Sequence, residues 1–121
     1  MSDGRRILLA GLVAAAVSTL CLTAAATGAT GRPPCTRSAA TAALHRDGER
    51  LIRRGHIPRG ALRCAGRYAT AGEIVGSRPH QVEITVLFRM DGPRWRVVSR
   101  ETPCRRHWIP RRIYRAACES N

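Results

Sequence analysis

The chain has 121 residues, 44% of them hydrophobic, and carries 21 basic residues against 8 acidic ones for a formal net charge of +13. That length excludes more than one domain and, once an apolar N-terminal segment is set aside, leaves a core small enough to need covalent support. Every basic residue is Arg and Lys is absent, so the charge reads equally as coding bias or as a surface for an anionic partner.

Residues 1–26 have the layout of a secretory signal peptide: a basic pair, Arg5-Arg6, an apolar run from Ile7 to Leu22, and small residues at Ala24-Ala25-Ala26, which favour cleavage after Ala26. The run falls short of the ~20 apolar residues a spanning helix needs, so no stable membrane span is expected after cleavage. The paired arginines also suit twin-arginine export, with the general secretory route preferred. Cys21 lies inside the discarded segment. Residues 27–34 read as a flexible Gly, Thr and Pro spacer, and 35–121 as one domain.

Four cysteines then remain, Cys35, Cys64, Cys104 and Cys118. An even count in a short exported chain is the arithmetic of two disulfides, for which three connectivities exist. Cys35 with Cys64 and Cys104 with Cys118 is the preferred pairing, because each bridge then staples one end of the chain to the sheet beside it.

From a cap at Thr36 or Ser38 the spacing of Ala40, Leu44, Gly48, Leu51 and Ile52 predicts a helix that runs through Arg54 to a stop at Gly55. Glu49 stands one turn before Arg53, the placing of a helical ion pair. His56 to Gly60 is a turn, and Ala61 to Val75 reads as a first strand whose small residues leave its buried side unassigned and let a helix pack closely. Val82, Ile84, Val86, Phe88 and Met90 alternate, which puts all five on the core face of a second strand, with Glu83, Thr85 and Arg89 opposite. Asp91-Gly92-Pro93-Arg94 is the turn of an antiparallel hairpin whose return strand starts at Trp95, a core residue, and ends at Glu101-Thr102-Pro103. Cys104 to Trp108 is an irregular basic segment. A short helix begins at Ile109-Pro110, with Ile113 and Ala117 apolar and Arg111, Arg112 and Arg115 wet. The expected fold is α+β: an N-terminal helix over a three-stranded antiparallel meander, closed by a short C-terminal helix and two disulfides.

Cys35 at the head of a helix, Cys64-Ala65-Gly66-Arg67-Tyr68-Ala69 on a strand, Trp95-Arg96-Val97-Val98, Cys104, Ile109-Pro110 and Cys118-Glu119-Ser120-Asn121 form an ensemble. It resembles a group of small secreted four-cysteine proteins of high-GC Gram-positive (actinobacterial) bacteria. The resemblance spans nearly all of the mature chain and brings no catalytic residues with it.

No catalytic, cofactor or metal pattern stands out. His45, His56, His80 and His107 lack ligand spacing, and Cys104 and His107, the one Cys/His proximity, lose to a disulfide in an oxidising compartment. Glu83, His107 and neighbouring arginines are the trio a small hydrolase would use, with no motif to fix their geometry. Trp108 is open to a surface role. The candidate anion-binding residues are Arg105, Arg106, Arg111, Arg112 and Arg115. The resulting expectation is a secreted, non-enzymatic binding module at the cell envelope, contacting an anionic polymer or a protein partner. Nucleic acid remains a possible partner, and a secreted hydrolase or an inhibitor of a secreted enzyme is the alternative function.

Overall fold

The computed structural model describes residues 31–50 and 52–120; the expected signal peptide, Cys21 and Leu51 lie outside them. Helix α1, Arg37–Asp47, starts where Thr36 Oγ1 accepts the Ala39 N–H at 3.3 Å, so Thr36 and not Ser38 is the cap. It stops well before Gly55, because Gly48 takes an extended conformation and its N–H closes on Leu44 O at 2.9 Å. Residues Ile52–Arg54 form a separate 3-10 turn. The ion pair expected between Glu49 and Arg53 gives way to a hydrogen bond from Arg53 Nε to Gly48 O at 2.6 Å, which closes the loop that Gly48 opens.

The sheet has four strands in the order β1-β2-β3-β4, one more than the sequence suggested. The expected first strand is a hairpin: β1, Arg63–Ala65, turns through Gly66-Arg67 into β2, Tyr68–Val75. Strand β3, Val82–Asp91, then turns through Gly92-Pro93 into β4, Arg94–Val98. Gly66 and Gly92 have φ of 56° and 59° and each opens a two-residue turn, where a positive φ matches the twist of the flanking strands.

Both faces of the sheet are covered. Ala40, Ala43 and Leu44 of α1 pack on Ala69, Ala71, Val86, Phe88 and Trp95; the alanines on both sides permit the close approach. On the opposite face Ile109, Ile113 and Ala117 cover Ala65, Tyr68 and Leu87. Leu87 is therefore as buried as Phe88, both at 0% exposure, although they point to opposite sides. Val82, expected in the core, is 55% exposed. The cause is length: the 11 residues of α1 reach roughly 16 Å, whereas the 10 of β3 extend about 33 Å, so the start of β3 lies beyond the helix.

Strand β4 ends at Val98, and Glu101–Arg105, expected as a strand end and an irregular segment, is a short helix, α2. Helix α3, Arg111–Tyr114, follows Pro110, which stands at its N-cap position without a side-chain capping bond, and widens into a π turn over Arg115–Glu119. Arg100 Nη1 donates to Ala117 O and Ser120 O at 3.0 and 2.9 Å, satisfying carbonyls that the end of a helix leaves open.

The disulfides are Cys35–Cys64 and Cys104–Cys118, with Cα separations of 6.1 and 5.6 Å. The first ties the entry of α1 to β1; the second ties α2 to the π turn. Of the expected spacer, residues 31–34 lie against the domain: Pro33 is buried, Arg32 Nη2 donates to Gly66 O at 2.8 Å and Trp95 Nε1 to Pro34 O at 2.9 Å. No helix among the described residues is long and apolar enough to cross a membrane.

Candidate functional site

The C-terminal helix is placed by its apolar side. Ile113 and Ala117, one turn apart, seat on Leu87 and Tyr68, and Arg111, Arg112 and Arg115, off that apolar side, are left exposed. Strand register brings a fourth arginine to them. Arg63 pairs with Thr70 and Thr70 with Leu87, so Arg63 stands on the face that α3 covers. Arg63, Arg111, Arg112 and Arg115 line one cleft of ≈ 500 Å³ with Ala116, Glu119 and Ser120.

Charge in this cleft is unbalanced. Arg115 Nε lies 3.3 Å from Glu119 Oε2, whereas Arg63, Arg111 and Arg112 have no carboxylate partner among the described residues. Three uncompensated guanidiniums around an open concavity present planar forks of donors, the geometry that engages phosphate or carboxylate oxygens in pairs.

The five arginines singled out from sequence thus divide. Arg111, Arg112 and Arg115 come together. Arg105 turns back to Glu101 at 3.6 Å, and the Arg106 guanidinium sits 5.8 Å from the Trp108 ring; neither lines the cleft. Arg63 was not singled out, because its outward placing beside α3 depends on a hairpin at Gly66 that a continuous strand conceals.

Trp95 is 3% exposed and belongs to the core, as its phase after the turn implied; Trp108 is 53% exposed. All four histidines are exposed. His107 has a φ of 54° and stacks on Tyr114, ring centroids 5.3 Å apart. His107 lines a hollow with Arg111 and Tyr114, and Glu83 lines another with Arg63, Thr85 and Ser120. Among the described residues, Glu83 and His107 thus line different hollows. Cys104 is spent in a disulfide, and no group of three or more His, Cys, Asp or Glu residues with metal-holding geometry occurs among the described residues.

One ionisable residue escaped the sequence reading. Glu73 shares the α1 face of β2 with Ala69, Ala71 and Val75, is 0% exposed, and neither of its carboxylate oxygens has a hydrogen-bond partner among the described residues. Burial pushes its pKa up from 4.5 to about 7, because removing water disfavours the charged form. The signal was there in the composition of β2: a single carboxylate among Ala, Gly and β-branched residues, in phase with the alanines that α1 needs.

No family model matches the chain, and no curated protein or solved structure matches it either. The two disulfides point to an oxidising compartment, extracellular or periplasmic.

Proposed function

We propose that this protein is a secreted, non-enzymatic binding module of the cell envelope that holds an anionic partner in the cleft of Arg63, Arg111, Arg112 and Arg115. The carrying observation is the trio of guanidiniums without carboxylate partners around that cleft. Export is supported by the layout of residues 1–26 and by the disulfides, and the resemblance to small four-cysteine actinobacterial proteins agrees with both.

Exposed arginines lose little water on meeting an anion, so charge-assisted hydrogen bonds are formed at small desolvation cost. Sedimentation of the oxidised protein with anionic envelope polymer tests the reading. Arg63→Ala with Arg112→Ala is expected to weaken retention about tenfold, a loss of about 1.4 kcal/mol, while Arg105→Ala leaves it unchanged. Equal retention of all variants removes the cleft from the binding surface. Cleavage of RNA or wall polymer that disappears in His107→Ala makes the protein a hydrolase instead.

A further inference from the structure

The cleft continues beyond its four arginines. Arg63 and Arg112 also line an adjoining hollow with Gly60, Cys64 and Ile113, and Arg112 lines a third with Ala65, Gly66, Met90 and Arg32. Shared lining residues set the three hollows side by side along β1 from Arg63 to Gly66, a row here called the trough. Arg112 lines every part of it; Arg111 and Arg115 line one end only, and Arg32 the other. Arg32 is held there by its hydrogen bond to Gly66 O at 2.8 Å, which uses one of its five N–H donors.

We infer that the trough takes a linear polyanion with small, base-free repeat units, engaging several of its charges at once; this rests on the cleft being an anion site. A single phosphate or carboxylate does not meet Arg115 and Arg32 together, because none of these three hollows is lined by both. A chain with a charge on each repeat meets them in succession, and each further contact is intramolecular, so affinity climbs with length until the trough is filled. Besides Arg32 and Arg112, the walls of that end hollow include Ala65, Met90 and the Cys35–Cys64 bridge, which suit an uncharged polyol or sugar spacer.

Single-stranded nucleic acid fits less well, since such sites offer aromatic faces on which bases stack. Trp95 is the one aromatic residue lining the trough; it is 3% exposed, with its ring N–H committed to Pro34 O. The exposed Trp108 lines none of the three hollows.

The experiment is a calorimetric or NMR titration of the oxidised protein with inorganic phosphate, with the glycerol phosphate trimer and hexamer, with a galacturonate hexamer and with a DNA hexanucleotide. The expected result is a hexamer at least about a hundredfold tighter than inorganic phosphate, the gain that linked contacts supply, and tighter than the hexanucleotide. Arg32→Ala is expected to weaken the hexamer about tenfold and to leave inorganic phosphate unchanged. Stronger binding of the phosphate or of the galacturonate chain identifies the charged group within the same proposal. If inorganic phosphate binds as tightly as the hexamer, the cleft is a single-anion site and the inference fails while the proposed function stands. If the hexanucleotide binds tightest, the partner class is wrong. If no anion binds, the inference and the proposed function fall together.

Discussion

The Glu73 carboxylate occupies the space that a side chain on Gly55 would fill: a Cβ at Gly55 would overlap Glu73 Oε1. Gly55 precedes His56, which exchanges backbone hydrogen bonds with Ile74 at 3.0 and 2.9 Å and so extends the edge of the sheet beyond β1. The loop between the 3-10 turn and β1 is thus laid directly over a buried, unpartnered carboxyl group. Its proton is worth most when it can be kept.

The first prediction concerns pH. The pKa of Glu73 is raised by burial from 4.5 to about 7, so the folded state holds the proton more tightly than the unfolded one. Stability is full below about pH 4.5, falls as pH rises through the interval to about 7, and stays reduced above it, by about 3 kcal/mol at 1.36 kcal/mol per pH unit. Urea unfolding of the wild type and of Glu73→Gln across this interval reads the effect. The wild type is expected to lose stability relative to the variant as pH rises, and parallel curves would show that the carboxyl group is hydrated in solution.

Gly55→Ala tests the contact itself. The new methyl group meets the carboxylate and forces either the loop or Glu73 to move, an overpacking cost of about 1–3 kcal/mol. In a Glu73→Ala background the space is free, and the same substitution is expected to cost little. The coupling energy of this double-mutant cycle should exceed about 1 kcal/mol; additivity would mean that the two residues do not touch.

Much of this architecture is legible in the residues, and the failures have local causes. The hairpin of β3 and β4 was readable because Val86, Phe88 and Trp95 alternate around a Gly-Pro turn. The disulfide pairing is the one of three connectivities that staples each chain end to the sheet beside it, the reason it is preferred from sequence. The hairpin at Gly66-Arg67 was missed because Ala65, Ala69 and Ala71 give no contrast between faces, so a turn inside the run left no break in the pattern. The full burial of Leu87 needed knowledge that a second layer covers the far face. Of the cleft, the arginines carried by the C-terminal helix were visible from one-turn spacing, whereas Arg63 and Arg32 join them only through the register of β1 and the path of residues 31–34.

Sheet-edge protection gives a third prediction. The outer edge of β4 faces the end of α1, where Arg46 Nη2 donates to Trp95 O and Asp47 Oδ2 accepts the Val97 N–H at 3.3 Å. Two adjacent side chains stand in for a neighbouring strand and deny the edge to another chain. Asp47→Ala leaves the Val97 N–H without its acceptor and is expected to cost about 1–2 kcal/mol, read as a lower urea midpoint. Asp47→Asn, which keeps an acceptor oxygen, should cost less than half as much. Equal losses for the two variants would place the effect in charge and not in the hydrogen bond.

The disulfides differ in what they hold, and this separates stability from binding. Chain-entropy reasoning gives about 3 kcal/mol for Cys104–Cys118, whose cysteines are 14 residues apart, and about 3.6 kcal/mol for Cys35–Cys64 at 29. On stability alone, losing the Cys35–Cys64 bridge costs slightly more. The Cys104–Cys118 bridge, however, anchors the π turn that carries Arg115, helped by the Arg100 hydrogen bonds and by Tyr114 Oη donating to Cys104 O at 3.3 Å. Replacing Cys104 and Cys118 by Ser frees that turn from α2, so the guanidiniums of Arg111, Arg112 and Arg115 no longer hold one spacing and each bound anion must order them anew. NMR titration with inorganic phosphate, at a temperature where both double variants remain folded, is expected to show a several-fold weaker response, about threefold to tenfold, for the Cys104/Cys118 variant. The Cys35/Cys64 variant, whose bridge lies away from Arg111 and Arg115 and touches the cleft only through Arg63 and Arg112, should weaken less. Equal weakening in both would mean that the bridges act on the cleft only through global stability, and the preorganised spacing of its arginines would then have no part in binding.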